Sequence, residues 1–377
     1  MNNKRKLILA ISGFVLFILY IFGAAQPIPE EMVLSPRWIN SLTTTYPVAQ
    51  DAAVESYAKN GPLLPFQLGE RFGYVDKDGN FTINQVKNGY ISLSDDHWAE
   101  YEAIPDRIEV HNPVHSPVLS IEMGDRAQSV RQTVQGYPVF LDKRIFLINN
   151  EQNSIAALDG NGNVMWIYDF AATLTCIDAA NGLLLTGSLD GVVEILNSEG
   201  KRIFFFEPGG SRLSIILACA FSKDGSKFAI VSGIDEQRFL LMERLGESLN
   251  NEYRVTYHEF VGKGFRRPVP IAFVDNDNRV AFERETGLGL YEISSRKSLI
   301  VPLNGEIVTI DEKGSDRLLF LLLAQDGEQK QLVTIKFPAI LMHKAPFKSD
   351  SVFLDRRDTT LYIGGGTNLA SFEITKR

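Results

Sequence analysis

Cysteine is nearly absent from this 377-residue chain, with only Cys176 and Cys219. Two thiols cannot make the disulfide framework of a small secreted domain or a four-thiolate zinc site. They read as small buried hydrophobes. Positive charge is also in deficit: 38 Lys and Arg stand against 46 Asp and Glu, for a net charge of −8. The basic pairs Arg266-Arg267 and Arg356-Arg357 are isolated, so the footprint of a nucleic-acid binder is missing and no nucleic-acid partner is expected. No Gly-x-Ser-x-Gly elbow and no Gly-x-x-x-x-Gly-Lys phosphate cradle occurs. Beyond the N-terminus no apolar run approaches the span of a bilayer; "LLFLLLA" at 318–324 is seven residues long.

What is present begins with "MNNKRK" followed by "LILAISGFVLFILYIFGAA". Lys4, Arg5 and Lys6 precede an uncharged stretch from Leu7 to Ala25, close to the ~20 residues a membrane helix needs. Positive charge ahead of it holds residues 1–6 in the cytoplasm and sends the remainder across. The expectation is a single-pass signal anchor over 7–25 in the cell (inner) membrane, with the body extracytoplasmic (periplasmic). Gly23 and Ala25 leave a cleaved signal peptide as the alternative. Without a cysteine near residue 26 there is no lipoprotein anchor. Residues 26–65, with Pro27, Pro29, Pro36, Pro47, Pro62 and Pro65, read as a proline-rich tether, with a short helix within 51–61.

The body, residues 66–377, is built on one period. In "CIDAANGLLLTGSLDGVVEILNSEGKRIFFF" (176–206) glycines at 182, 191 and 200 each follow a polar residue, and apolar β-formers fill the gaps. Asn-Gly and Asp-Gly supply the positive φ of tight hairpins, so this is a four-stranded meander of about 35 residues. "LLL" and "FFF" suit a sheet buried on both faces. The unit recurs, with equivalent first-strand positions near Val139, Cys176, Cys219, Ile271, Val308 and Val352, at spacings of 37, 43, 52, 37 and 44. That is the period of a propeller blade. The fold class is therefore all-β: a β-propeller of four-stranded antiparallel blades behind one N-terminal transmembrane helix. The count is seven, with eight as the alternative, because the register before residue 137 is weak. Ring closure is expected to pair strands from both ends of the body. Both thiols are expected free, since equivalent positions on adjacent blades should lie beyond the ~7 Å Cα limit for a disulfide.

"AFSKDGSKFAIVSG" (220–233) is similar to the first two strands of a WD40 repeat, and "AALDGNGNVMWIY" (156–168) to the quinoprotein (PQQ)-like repeat. The chain thus resembles the WD40-like and quinoprotein-like propellers, although no Gly-His or Trp-Asp pair occurs and only Trp166 fits the quinoprotein pattern. The resemblance implies a platform for protein–protein interaction. A quinone-dependent dehydrogenase would need a tryptophan ring and a cysteine pair at the cofactor, which the repeats do not carry, so no enzyme and no cofactor are expected.

Other candidates reduce to structure. "HNPVH" (111–115) has the spacing of a helical metal pair, but Pro113 lies inside it. "DKDGN" (76–80) and "DGNGN" (159–163) resemble calcium loops, yet position twelve counted from Asp76 is Lys87. No catalytic or metal residue is assigned. "RIFFF" (202–206) ends a blade, so alternate rings are expected to bury between blades, with a partner surface on the outer strand as the alternative. Phe265, Arg266 and Arg267 combine an aromatic with arginines in a connection between blades, the composition of an interface anchor, and are the candidate binding residues. The function expected is a membrane-tethered scaffold that binds another protein of a cell-envelope complex. The alternative is a ligand sensor or enzyme that uses the mouth of the central channel.

Overall fold

The computed structural model describes residues 12–17, 20, 32–44, 63–103, 105–122, 136–245, 252–262, 264–313 and 317–376. Eight antiparallel sheets form the body. Blade 1 comprises Leu64–Leu68, Arg71–Val75 and Phe81–Val86, and blade 2 comprises Tyr90–Leu93, Trp98–Tyr101, Arg107–His111 and Pro117–Glu122. Blade 3 is Tyr137–Leu141, Arg144–Ile148, Ser154–Leu158 and Val164–Asp169; blade 4 is Leu174–Ala180, Leu183–Ser188, Val193–Leu196 and Arg202–Phe206. Blade 5 is Ile216–Phe221, Lys227–Ser232, Gln237–Arg244 and Tyr253–Gly262, and blade 6 is Ile271–Val274, Arg279–Arg284, Gly287–Glu292 and Lys297–Pro302. Blade 7 holds Glu306–Ile310, Leu318–Ala324, Gln329–Lys336 and Ile340–Lys348. Blade 8 takes Val352–Arg357, Thr360–Gly365 and Asn368–Lys376 from one end of the body and Met32–Ser41 from the other.

The count is therefore eight rather than seven. Residues 63–122 hold two blades, not one. Blade 1 shows three strands among the described residues, so it does not print the full period on the sequence. The ring does close through both chain ends, by way of residues within the segment that proline content had marked as tether. Met32–Ser41 pairs with Asn368–Lys376, from Met32 opposite Lys376 to Ser41 opposite Asn368. Pro36 is accommodated because the strand is the outermost of its sheet and its register shifts between Pro36 and Trp38. An edge position and a bulge are where a residue lacking an N–H can sit in a sheet. The proposed helix at 51–61 lies outside the described residues. So does most of the 7–25 stretch: residues 12–17 are helical, and no helix among the described residues is long and apolar enough to cross a membrane.

The core lies in the seams between blades. Alternate residues of each central strand face opposite neighbours, so a strand buried on both faces becomes continuously apolar. In Leu318–Ala324 six consecutive residues are buried; Leu319, Leu321 and Leu323 pack toward blade 6, and Leu318, Phe320 and Leu322 toward blade 8. Each such side chain contributes roughly 1.5–3 kcal/mol relative to exposure. Phe204 and Phe206 pack toward Phe228 and Tyr253 of blade 5, whereas Phe205 points away and is exposed. The long spacing between Cys219 and Ile271 reflects blade 5, whose two outer strands run eight and ten residues.

Candidate functional site

The first strand of each blade lines the axis, so the hairpins that follow these strands crowd around one mouth of the channel. Polar side chains there tie neighbouring blades together. Asp142 Oδ2 accepts from Gly182 N (2.9 Å), and Arg144 donates to the carbonyls of Gly182 (3.0 Å) and Leu183 (2.8 Å), joining blades 3 and 4. Asp178 Oδ2 accepts from Phe221 N (2.6 Å) and Asn181 Nδ2 donates to Asp224 O (3.1 Å), joining 4 and 5. Asp277 Oδ2 accepts from Lys223 N (2.9 Å), joining 5 and 6. Lys313 meets Asp355 across blades 7 and 8, and Arg357 grips Asp95 of blade 2 through both terminal nitrogens (2.6 and 2.8 Å). Arg356, fully buried, donates to the carbonyls of Asp358 (2.9 Å) and Leu318 (3.2 Å) and lies 3.6 Å from Asp311.

This mouth is acidic. Burial pushes the Asp178 carboxyl up, against the pull of its two backbone donors. Asp311 is raised to about 6, again by burial, with Arg356 opposing. Glu312 is raised to about 7, first by desolvation and then by the charge of Asp178. Its side chain is nevertheless exposed, so solvent screens it and it is a group of the channel mouth rather than a core residue. Asp178 and Glu312 belong to blades 4 and 7, so the influence of Asp178 on Glu312 acts across the opening. Among the described residues no three His, Cys, Asp or Glu side chains are disposed to hold a metal ion.

A second feature opens between blades 3 and 4, a cleft of about 210 Å³. One wall is the end of the outer strand of blade 3, with Tyr168, Asp169 and Phe170; the other is the face of blade 4, with Thr186, Ser188, Asp190, Glu194, Arg202 and Phe205. Strand register builds the second wall: Thr186, Glu194 and Phe205 are successive partners across three strands and therefore share a face. Glu194 is buried, and its Oε1 accepts from both Arg202 Nη1 (2.7 Å) and Tyr168 Oη (3.2 Å). The Arg202 guanidinium, held by Glu194, also lies 5.1 Å from the centre of the Phe205 ring. Burial and then the Glu194 charge raise the Tyr168 phenol.

The position of Glu194 is unusual for its seam. Counted along the same ladders, the equivalent residue is Ala156 in blade 3, Leu240 in blade 5, Gly289 in blade 6, Val333 in blade 7 and Ala370 in blade 8. Blade 2 carries Glu109, which is half exposed. A carboxylate buried where blades 3, 5, 7 and 8 pack hydrocarbon costs free energy, and its partners offset that cost only in part.

A family model of beta-propeller proteins matches residues 1–377. The chain belongs to the beta-propeller protein family. A relative within reach of sequence comparison is an uncharacterised protein of Treponema pallidum (strain Nichols), 26% identical over 311 residues, 82% of this chain and 78% of that one. Among solved structures the propeller is similar to BamB from Moraxella catarrhalis, with a TM-score of 0.56 at 11% identity over 90% of this chain and all of that one. It is also similar to a chain of a mitotic checkpoint complex (TM-score 0.53, 10% identity, 92% of this chain and 94% of that one). A third similar structure is the computationally designed Ika8 protein (TM-score 0.56, 14% identity, 84% of this chain and 97% of that one). At these identities the likeness is one of fold.

In this propeller Phe265, Arg266 and Arg267 stay together, but largely turned to internal work. The buried Gln237 holds the Phe265 backbone at both N and O (3.1 and 2.7 Å), and the ring packs against the seam between blades 5 and 6. Arg267 bridges Glu283 (2.9 Å) and Glu306 (3.0 Å), and Arg266, exposed, donates to Ile234 O (2.9 Å). His111 and His115 stack with Trp98 and each other instead of converging on an ion. Trp166 donates to Ser198 O (2.9 Å), locking the outer strand of blade 3 to a hairpin of blade 4. Of the cleft residues, the sequence singles out only Arg202 and Phe205, within "RIFFF". The available signal was Glu194 itself, a charge inside the apolar run "VVEIL".

Proposed function

We propose that this protein is a membrane-tethered, extracytoplasmic propeller that binds another protein of the cell envelope and has no catalytic chemistry of its own. In this reading the cleft between blades 3 and 4 receives an extended segment of the partner that carries a basic side chain. One observation carries it: a position that blades 3, 5, 7 and 8 fill with hydrocarbon holds the buried Glu194, at the base of a cleft open to solvent. Arg202 already balances Glu194, so Asp169 and Asp190 leave the cleft with two uncompensated negative charges beside the Phe170 and Phe205 rings. Carboxylates next to aromatic faces suit a guanidinium or ammonium group. Three basic residues ahead of an uncharged stretch at the N-terminus support the tether and the orientation. The repeats are read as WD40-like and quinoprotein-like.

Crosslinking in intact cells followed by mass spectrometry tests this, with wild type and Asp190→Asn run in parallel. A specific envelope protein captured by the wild type and depleted in the variant is the expected result. Capture of nothing specific, or equal capture by both, would sink the cleft reading. Protease protection of the body in intact cells, lost on opening the outer envelope, checks its side of the membrane. A second reading, a small-molecule sensor at the channel mouth, is favoured by the convergence of Asp178, Asp311 and Glu312; a ligand whose affinity falls in Glu312→Gln and is unchanged in Asp190→Asn would support it instead.

A further inference from the structure

We propose that Cys176 and Cys219 are a latent disulfide site that, once oxidised, staples blade 4 to blade 5 beside the channel. The two residues sit on adjacent first strands, Leu174–Ala180 and Ile216–Phe221, which run side by side. Side-chain links bracket them and set the register. Thr175 Oγ1 donates to Ile216 O (2.6 Å) on one side, and Asp178 accepts from Phe221 N (2.6 Å) on the other. Asp178 with Phe221, and Asn181 with Asp224, are both 43 positions apart, the same offset that separates the cysteines. Cys176 is thereby brought opposite Cys219.

The side chains complete the arrangement. Both thiols pack against one apolar cluster shared by blades 4 and 5. Opposite Cys176 in the neighbouring strand is Gly187, where an added Cβ would lie 2.7 Å from Cys176 Sγ. The absence of a side chain there leaves the sulfur its room. Both cysteines are half-buried rather than fully buried residues, and the bond requires that a small oxidant reach them. Both thiols are free in the structure, as expected; the bond is proposed to form on oxidation because inner strands crowd toward the axis, where the separation between blades is smallest.

The chemistry requires a disulfide-class oxidant, either a dithiol-disulfide oxidoreductase or a small organic disulfide. One thiolate attacks the oxidant to give a mixed disulfide and release its first thiol. The second thiolate then displaces the oxidant's other sulfur, forming the intramolecular bond. Two electrons pass to the oxidant, and the protons lost by the two cysteines end on its two thiols. Burial, the neighbouring Cys176 and the charge of Asp178 all push the Cys219 thiol up, so the reaction should be slow at neutral pH and accelerate in mild alkali.

The test uses the folded protein incubated with a small organic disulfide, then alkylated in denaturant and mapped by mass spectrometry. The expected outcome is loss of two hydrogens, protection of both residues from alkylation, and a cross-linked peptide pair containing Cys176 and Cys219. A thermal midpoint raised by about 3–6 °C should accompany it. That rise should be absent in both Cys176→Ser and Cys219→Ser, whichever of the two folds better. Two free thiols after exhaustive oxidation, mixed disulfides that never close, or bonds only between molecules would each overturn the proposal. None of these outcomes depends on a partner being found, so this inference and the cleft reading fail independently.

Discussion

Gly182, Gly191 and Gly200 look alike in the sequence, and all three adopt positive φ, at 78°, 87° and 75°. Their surroundings differ. A Cβ on Gly182 meets nothing within 4 Å, whereas on Gly191 it would lie 1.6 Å from Ser214 O, in the connection to blade 5. Gly182→Ala should therefore cost only the backbone strain, about 1 kcal/mol. Gly191→Ala should cost at least ~2 kcal/mol more, because backbone must move. Urea unfolding of the two variants tests the ranking. Glu194 presents the opposite case, a residue that stability alone would not select. Glu194→Leu copies the side chain that blade 5 has at the same rung. It should leave stability unchanged or raise it by about 1 kcal/mol, since Arg202 is half exposed and can be resolvated. Partner capture should fall with it. A loss of several kcal/mol would show that Glu194 is held for structure. The charge was visible within "VVEIL"; its burial and its partners Tyr168 and Arg202, eight residues away or more, were not.

Among elements, the Met32–Ser41 strand is the most consequential. It gives blade 8 its fourth strand and covers an edge of Asn368–Lys376 that would otherwise be free to pair with another chain. Trp38 donates to Lys77 O (3.0 Å) and Asn40 to Gly79 O (2.7 Å), so the same strand clamps blade 1. A chain beginning at residue 27 should match the full body in thermal midpoint to within about 2 °C. A chain beginning at residue 45 should aggregate or melt at least ~10 °C lower. Equal midpoints for the two would remove closure as a source of stability. Trp38→Ala, by loss of ring packing and the hydrogen bond, should cost about 2–3 kcal/mol. Proline content concealed this strand: a residue that breaks an interior strand is tolerated at an outer bulge, and a linear reading cannot tell which strand is outermost.

At the scale of the whole molecule, Asp178 of blade 4 acts on Glu312 of blade 7 only because the ring closes. Asp178, Asp311 and Glu312 are all raised in the folded protein, with Asp311 at about 6 and Glu312 at about 7. Between pH ~4 and ~7 the folded state therefore holds protons that the unfolded chain has released. Stability contributed by these groups is complete near pH 4 and declines as pH rises toward 7. Asp224, lowered to about 2 mainly through its serine and backbone donors against the cost of burial, acts in the opposite sense, and its contribution is lost only below about pH 4. The denaturation midpoint should thus fall from pH 5 to pH 8, by on the order of 1–2 kcal/mol once solvent screening of the wetted Glu312 is allowed for. Glu312→Gln should flatten that decline. A midpoint that climbs steadily over this range would contradict the crowding of acids at the mouth.

The sequence by itself determined the all-β architecture and the position of nearly every blade from residue 137 onward. Hairpin turns and doubly buried strands are local requirements, written in Gly, Asn, Asp and apolar runs within some 40 residues. Tertiary structure alone decided the eighth blade and the use of Met32–Ser41 to close the ring. It also decided the placing of Cys176 and Cys219 in one seam, the acidic mouth and the cleft around Glu194. Each of these joins residues from different blades, and which side chains meet across a seam depends on how the sheets turn about the axis, a geometry that no single repeat contains.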